Sequence, residues 1–498
     1  MLVLGYDCGT SSVKATLLDT QSGTVVASAI SPEKEMPIIA PKSGWAEQHP
    51  EDWWDNVKKA TRKVLTESNV DPADIKAIGI SYQMHGLVLV DVKKQVLRPS
   101  IIWCDSRAVE IGQKAFDDIG PDKCLANLLN SPGNFTASKL KWVKENEPDI
   151  YAKVDKAMLP GDYIAMKLTD TVCTTVSGLS EGILWDFKRQ KQATMVLDYY
   201  RIDEQLLPEV VPTFSVQGEL TSQAADELGL KAKTVVSYRA GDQLNNALSL
   251  NVLDPGEVAA TAGTSGVIYG IGDEPGYDAK SRVNTFAHVN DTKEDPRLGV
   301  LLCINGTGIL NSWLKHTVGN GLDYPHMNEL ASQAPVGSEG LCILPFGNGA
   351  ERTLGNKDIK ASIHGLNFNT HNVSHVLRAG QEGIVFAFNY GLQIMRDMGV
   401  QVNTVRAGDA NMFLSPLFRQ AFATVTDSVV ELFNTDGSAG AARGAGIGAG
   451  IYKDPQEAFA GLRCTQTIEP ENNRRSTYQQ AYQQWLEVLN QKLKETNS

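Results

Sequence analysis

One short pattern occurs twice in this chain of 498 residues. Gly-Thr-Ser stands at 9–11 and again at 263–265, each time between two apolar, strand-like runs. Leu2 to Asp7 leads into the first turn, Cys8 to Ser12, and Val13 to Asp19 leads out. Glu257 to Ala262 leads into the second turn, and Val267 to Ile271 leads out. Apolar runs broken by such turns read as hairpins. The same hairpin opening both halves of a chain implies two related domains. Their junction falls near Leu253-Asp254-Pro255-Gly256, which divides the chain into 1–251 and 252–498. A chain of this length also outgrows a single hydrophobic core.

Around these hairpins the pattern alternates. Thr24 to Ile30 continues the first meander, and Pro50-Glu51-Asp52 opens a helix that runs through Leu65. Proline suits a first helical turn, and acids there complement the helix dipole. Ile75 to Ser81, Leu87 to Val92 and Val96 to Trp103 read as strands. In the second half, Val373 to Met398 is one long helix with Val376, Ile384, Phe388, Leu392 and Met395 on one face. Val402 to Arg406 is a short strand, and Leu417 to Phe433 reads as helix. The Gly/Ala-rich stretch 437–450 reads as close helix packing, since no strand is expected just before it to make a dinucleotide fingerprint. Interleaved strands and helices make this an α/β protein.

Charge narrows the function. With 46 Lys and Arg against 58 Asp and Glu, the net charge is −12. Such a surface does not attract nucleic acid or anionic lipid over a broad face. No apolar run is long enough to span a bilayer, and the opening Met1 to Tyr6 has no basic leader. The seven cysteines are scattered, without a Cys-x-x-Cys pair, so neither a disulfide framework nor a zinc site is expected. A reducing cytoplasm is the expected setting.

No Gly-Lys-Ser or Gly-Lys-Thr occurs, so any phosphate must be held by other glycine turns. Each Gly-Thr-Ser turn alone reads as an ordinary hairpin turn. Facing one another across a cleft, the two could clasp a triphosphate with backbone amides and the hydroxyls of Thr10 and Thr264. Asp7, at a strand end, could hold Mg²⁺ or merely cap its turn. Asp242, in Gly241-Asp242-Gln243, could accept a hydroxyl proton or cap the helix that follows.

Taken together, Asp7 to Lys14, Gly241-Asp242 and Gly263 to Gly266 occur in the order seen in the FGGY carbohydrate kinases, which this chain resembles from Met1 to about Ala449. Gln83-Met84-His85-Gly86, Trp45 to Gln48, Trp103 to Arg107 and Phe135 to Trp142 resemble the branch of that family that phosphorylates D-xylulose. The resemblance implies two actin-like, ribonuclease-H-like domains, the first for sugar and the second for nucleotide, with the active site between them. It implies ATP and Mg²⁺, catalytic Asp242 and Asp7, and Asp7 as the metal-side acid. Sugar contacts carried over are Met84, His85, Trp103, Asp105, Asn134, Asp242 and Gln243. Nucleotide contacts are Gly9, Thr10, Ser11, Gly263, Thr264, Gly408 and Asn411. Gln243 stands where that branch carries Asn, Cys104 replaces an Asn, and Ala407 and Asp409 interrupt a glycine run. A homodimer is compatible with the resemblance. The alternatives are a kinase of the same family acting on ribulose, another ketose or polyol, gluconate or glycerol, and an inactive ATP-binding regulator.

Overall fold

The computed structural model describes residues 1–496 and contains two six- and seven-stranded mixed sheets. The first is built from β1 (Leu2–Cys8), β2 (Val13–Asp19), β3 (Val25–Ser31), β4 (Ile75–Tyr82), β5 (Phe214–Glu219) and β6 (Val235–Gly241). Its spatial order is β5-β6-β4-β1-β2-β3. The second is built from β7 (Val258–Ala262), β8 (Gly266–Gly272), β9 (Asn284–Ala287), β10 (Leu298–Ile304), β11 (Thr404–Gly408), β12 (Val429–Phe433) and β13 (Cys464–Ile468). It runs β9-β10-β8-β7-β11-β12-β13.

The two sheets repeat one topology. The hairpins β1–β2 and β7–β8 are antiparallel, and each first strand pairs in parallel with the strand that returns after a helical crossover, β4 or β11. The next strand, β6 or β12, adds in parallel again. The duplication is the one that the twin Gly-Thr-Ser turns imply, and the arrangement is the ribonuclease-H-like one that the family resemblance implies.

The first half carries helices α1 (Pro50–Ser68), α2 (Thr136–Asn146), α3 (Val176–Glu181) and α4 (Asp242–Ser249). The second carries α5 (Gly308–Thr317), α6 (Tyr324–Gln333), α7 (Val373–Asp397), α8 (Pro416–Thr426), α9 (Gly437–Gly448) and α10 (Arg475–Glu495). Val3, Leu4 and Tyr6 are consecutive or near neighbours in β1 and all fully buried, because helices cover both faces of the sheet. On one face, α1 buries Trp53, Trp54, Val57 and Val64.

On the other face lies α9, a helix from the second half of the chain. Ala441, Ala442 and Ala445 are fully buried there. A Cβ on Gly5 would stand 2.0 Å from the Ser438 carbonyl oxygen, and one on Gly79 would stand 2.0 Å from that of Ala441. Helix backbone therefore rests directly on sheet backbone, which is why the segment is glycine- and alanine-rich. Residues 251 and 252 lie between α4 and β7, and α9, from the second half of the chain, packs on the first sheet.

Three sequence expectations change. Leu417 to Phe433 is not one helix: α8 stops at Asp427, whose φ of 53° is left-handed, and Val429–Phe433 is strand. The glycine-rich helix α9 consequently does follow a strand, although its glycines serve close packing. The run Val96 to Trp103 contributes only Ser100–Ile101 as strand. Among the described residues no helix is long and apolar enough to cross a membrane, and all seven cysteines are free.

Candidate active site

Register delivers the key residues to one place. Cys8, Tyr82 and Gly241, the last residues of β1, β4 and β6, are paired side by side. The residues after them, Gly9-Thr10-Ser11, Gln83-Met84-His85 and Asp242, therefore emerge at one edge of the sheet. In parallel α/β sheets the crevice beyond the strands' carboxyl ends is where ligands bind.

Asp7 lies one residue inside that edge, opposite Ser81, whose hydroxyl donates to Asp7 Oδ1 at 2.8 Å. Its other face meets the start of α9, where a Cβ on Gly437 would lie 2.4 Å from Asp7 Oδ2. Burial raises the Asp7 pKa and the Ser81 hydrogen bond opposes that shift. Asp436, which caps α9 and pairs with Lys14 Nζ at 2.5 Å, adds a second upward push.

Asp242 is the first residue of α4, and its carboxyl group meets the amide and side chain of Gln243. Some of its surface still reaches the cleft, but surrounding protein raises its pKa to about 7, with the Asp7 charge adding to the effect of burial. A carboxylate near this value can take a proton at neutral pH and hold it. Because the carboxylate form is the reactive one, kcat/KM for the sugar is expected to rise with pH through about 7 and level off above it. A pH–rate profile measures this; a flat profile from pH 5.5 to about 8 would exclude Asp242 as the titrating group.

Beside Asp242 the segment after β4 forms an ordered wall. Met84 packs on Gly241, where a Cβ would come within 2.5 Å of Met84 Cγ. His85 has a left-handed backbone, φ 62°, held by three hydrogen bonds. Its amide donates to Glu181 Oε2 at 3.1 Å, its Nδ1 lies 3.0 Å from the Glu181 carbonyl, and its own carbonyl accepts from Lys139 Nζ at 2.8 Å. Burial, and next the Lys139 charge, lower the His85 pKa to about 3, so the ring stays neutral. With Nδ1–H given to Glu181, Nε2 is left as an acceptor. The ring stands edge-to-face on Phe135 at 4.8 Å and tilted against Phe286, from the second half, at 5.5 Å.

The other expected sugar contacts divide. Trp103 is half-exposed and donates Nε1–H to Thr10 Oγ1 at 3.0 Å, so it lies against the Gly9-Thr10-Ser11 turn. Asn134 donates to the Asp105 carbonyl and keeps a buried Oδ1 with no protein partner, and Gln243 Oε1 is likewise unpartnered. Asp105 is fully buried, with its carboxylate engaged by Arg107 at 2.7 Å and the Ala46 amide at 2.6 Å. Its oxygens thus serve the scaffold that holds Asn134.

Across the cleft, the turn after β7 docks on α5: the Gly308 amide donates to the Gly263 carbonyl at 2.8 Å and the Ile309 amide to that of Thr264 at 3.1 Å. A Cβ on Gly308 would sit 2.4 Å from the Gly263 oxygen, so only glycine permits this approach. Gly263, Thr264, Gly308, Asn311, Tyr324 and Asn411 line a cleft of about 500 Å³. Asn411 reaches it with a left-handed φ of 54°. Gly408 ends β11 nearby but is not among the lining residues.

Comparison with known proteins places this geometry. Family models for the FGGY family of carbohydrate kinases match over nearly the whole chain, the N-terminal domain at 2–249 and the C-terminal domain at 258–451. The chain belongs to the FGGY family of carbohydrate kinases. It is 31% identical over 458 residues to the xylulose kinase of Bacillus subtilis, covering 91% of this chain and 90% of that one. The crystal structure of a xyloylose kinase from Brucella ovis superposes with a TM-score of 0.88 at 27% identity, covering 98% of both chains. A gluconate kinase from Lactobacillus acidophilus shares the fold at a TM-score of 0.87 and 24% identity, covering 99% of this chain and 98% of that one.

This FGGY protein is therefore an ATP-dependent carbohydrate kinase of two actin-like domains. Its donor set suits magnesium carried by a triphosphate. Among the described residues no cluster of three His, Cys, Asp or Glu side chains could cage a metal alone, whereas nucleotide-borne Mg²⁺ needs only one or two carboxylates. Asp7 would supply one. Sequence reasoning missed Lys139, Glu181 and Phe286. Lys139 stood inside a quoted motif without a role, whereas a lone Glu and a lone Phe carry no local signal at all.

Proposed function

We propose that this kinase transfers the γ-phosphoryl group of ATP to the terminal 5-hydroxyl of D-xylulose, with Asp242 accepting the hydroxyl proton. The products are D-xylulose 5-phosphate and ADP. The reading rests on one observation: a carboxyl group of raised proton affinity, Asp242, emerges at the same sheet edge as Met84, His85 and the Gly9-Thr10-Ser11 turn. Bound Mg²⁺ would neutralise charge on the phosphates beside Asp7. Amides and hydroxyls of the turns at Gly9-Thr10-Ser11 and Gly263-Thr264 would hold the charge that spreads over the transferred group. Enclosure between the domains keeps water from competing for the phosphoryl group.

The choice of sugar follows from the wall. Met84 is apolar and His85 neutral, which suits a short uncharged ketose. Two cations stand near the wall. The Lys139 ammonium is committed to the carbonyls of His85 and Ile102 at 2.8 and 3.0 Å. Arg352 forms no ion pair among the described residues, so the gluconate comparison below tests the choice directly. Likeness to the xylulose kinase of Bacillus subtilis points to the same substrate. His85→Ala is expected to raise KM for D-xylulose about tenfold, since a stranded sugar hydroxyl costs about 1–3 kcal/mol, with KM for ATP little changed. A coupled ADP-release assay compares kcat/KM for D-xylulose, D-ribulose, L-ribulose, glycerol and gluconate. Any of these exceeding D-xylulose tenfold would replace the proposed substrate and leave the kinase assignment standing.

A further inference from the structure

The second half of the chain brings its own cation to the sugar wall. Arg352 opens a short 3₁₀ turn, Arg352–Leu354, that is firmly anchored. The preceding Glu351 is almost fully buried and turns its carboxylate away, accepting from the Asn305 amide at 2.9 Å. The Glu351 amide in turn donates to the Lys357 carbonyl at 3.0 Å. This turn lies just beyond the end of β10, so the guanidinium projects from a fixed base.

That guanidinium stands 5.7 Å from the centre of the Phe135 ring, the same ring that packs edge-to-face on His85 at 4.8 Å. Cation–ring contact at this distance is favourable but modest. It also lies close enough to His85 for its charge to oppose protonation of the imidazole.

Arg352 shares with the buried Arg443 the lack of an acid among the described residues, but Arg443 donates from Nη1 to Thr435 Oγ1 at 3.0 Å. Arg98, Arg107, Arg239 and Arg378 are buried and each pairs with a carboxylate: Glu47, Asp105, Asp162 and Glu382 respectively. Arg352 forms no ion pair among the described residues, and its Nη1 is buried without a hydrogen-bond partner. Burial lowers its pKa, though a guanidinium remains charged at neutral pH. A buried charged donor left unpaired is costly, whereas a polar ligand oxygen satisfies it with a strong, directional bond.

We propose that Arg352 is a sugar-binding residue contributed by the nucleotide-binding half, donating from its guanidinium to an oxygen of the bound sugar opposite His85. This rests on the Met84–His85 wall being the sugar site. It ties the sugar to the half of the protein that holds ATP, so that both domains recognise both substrates. The ligand class is a polyhydroxylated sugar with a carbonyl or hydroxyl oxygen facing Phe135.

The test uses full-length Arg352→Met and Arg352→Lys proteins. The Met variant is expected to raise KM for D-xylulose tenfold or more and to weaken D-xylulose binding equally by calorimetry without nucleotide. KM for ATP should stay within twofold, and His85→Ala should add little to the Met variant if both hold the same sugar. Arg352→Lys, which keeps the charge but loses the fork, should fall between, at three- to fivefold, and it decides the matter should the Met variant not fold. A folded Met variant, or failing that the Lys variant, with wild-type KM and Kd for sugar would overturn the proposal. So would a rise in KM for ATP alone. Should the wild type prefer another sugar of the panel, that sugar becomes the probe, and the xylulose reading fails while the role of Arg352 is judged on its own.

Discussion

Asp242→Asn is expected to lower kcat by about 10²- to 10⁴-fold while the protein folds and binds ATP normally, which is the range for losing a general base. The amide is the same size and can still pack at the start of α4, so packing is not the variable. Stability should move in the opposite direction. In the folded protein the carboxyl holds its proton up to about pH 7, against an ordinary value of 3.8. Between those values the folded state binds more protons than the unfolded one, so wild-type stability falls as pH rises across that window. The Asn variant lacks this loss and should melt above the wild type at pH 8. Steady-state kinetics, calorimetric ATP titration and thermal melts at pH 5 and about 8 measure all three. Near-normal kcat in the folded variant would remove Asp242 from the mechanism.

Gly79→Val should destabilise the protein by roughly 3 kcal/mol or more, at the upper end of overpacking effects. The new Cβ would lie 2.0 Å from the Ala441 carbonyl oxygen and 2.8 Å from its carbon. Both are backbone atoms of a helix, so no side chain can swing aside, and α9 must lift from β1 and β4. Activity should fall with stability, because the start of α9 forms the far wall behind Asp7. Gly272→Ala is the control, since a Cβ there meets nothing within 4 Å. A Gly79→Val protein with an unchanged melting temperature would show that α9 does not brace the first sheet in solution.

The split between what was legible and what was not follows from range. Duplication could be read because Gly-Thr-Ser and its flanking apolar runs are local, contiguous signals, and hairpin physics acts over a dozen residues. Asp7, Asp242, Met84 and His85 could be singled out as candidates for the same reason: each lies at a strand end or turn whose pattern is visible in a few letters. The error at Leu417 to Phe433 also has a local cause. Asp427 terminates the helix with a left-handed backbone, and an aspartate in an apolar run gives little notice of that.

Residues that matter through distant partners left no such trace. Glu181 holds His85 in place from 96 residues away, through hydrogen bonds to its amide and ring. Asp105 read as a sugar contact, and only the fold shows that its carboxylate is bonded to Arg107 and the Ala46 amide. Phe286 and Arg352 reach His85 and Phe135 only because the second half of the chain folds against the first. By itself, the sequence determined most of the strands and turns and the motifs that mark the family, since these depend on preferences over short spans. The tertiary structure alone decided which side chains face the cleft, which carboxylates are held at raised pKa and which cations go unpaired. Burial and charge proximity are properties of the assembled interior, set by neighbours hundreds of residues apart.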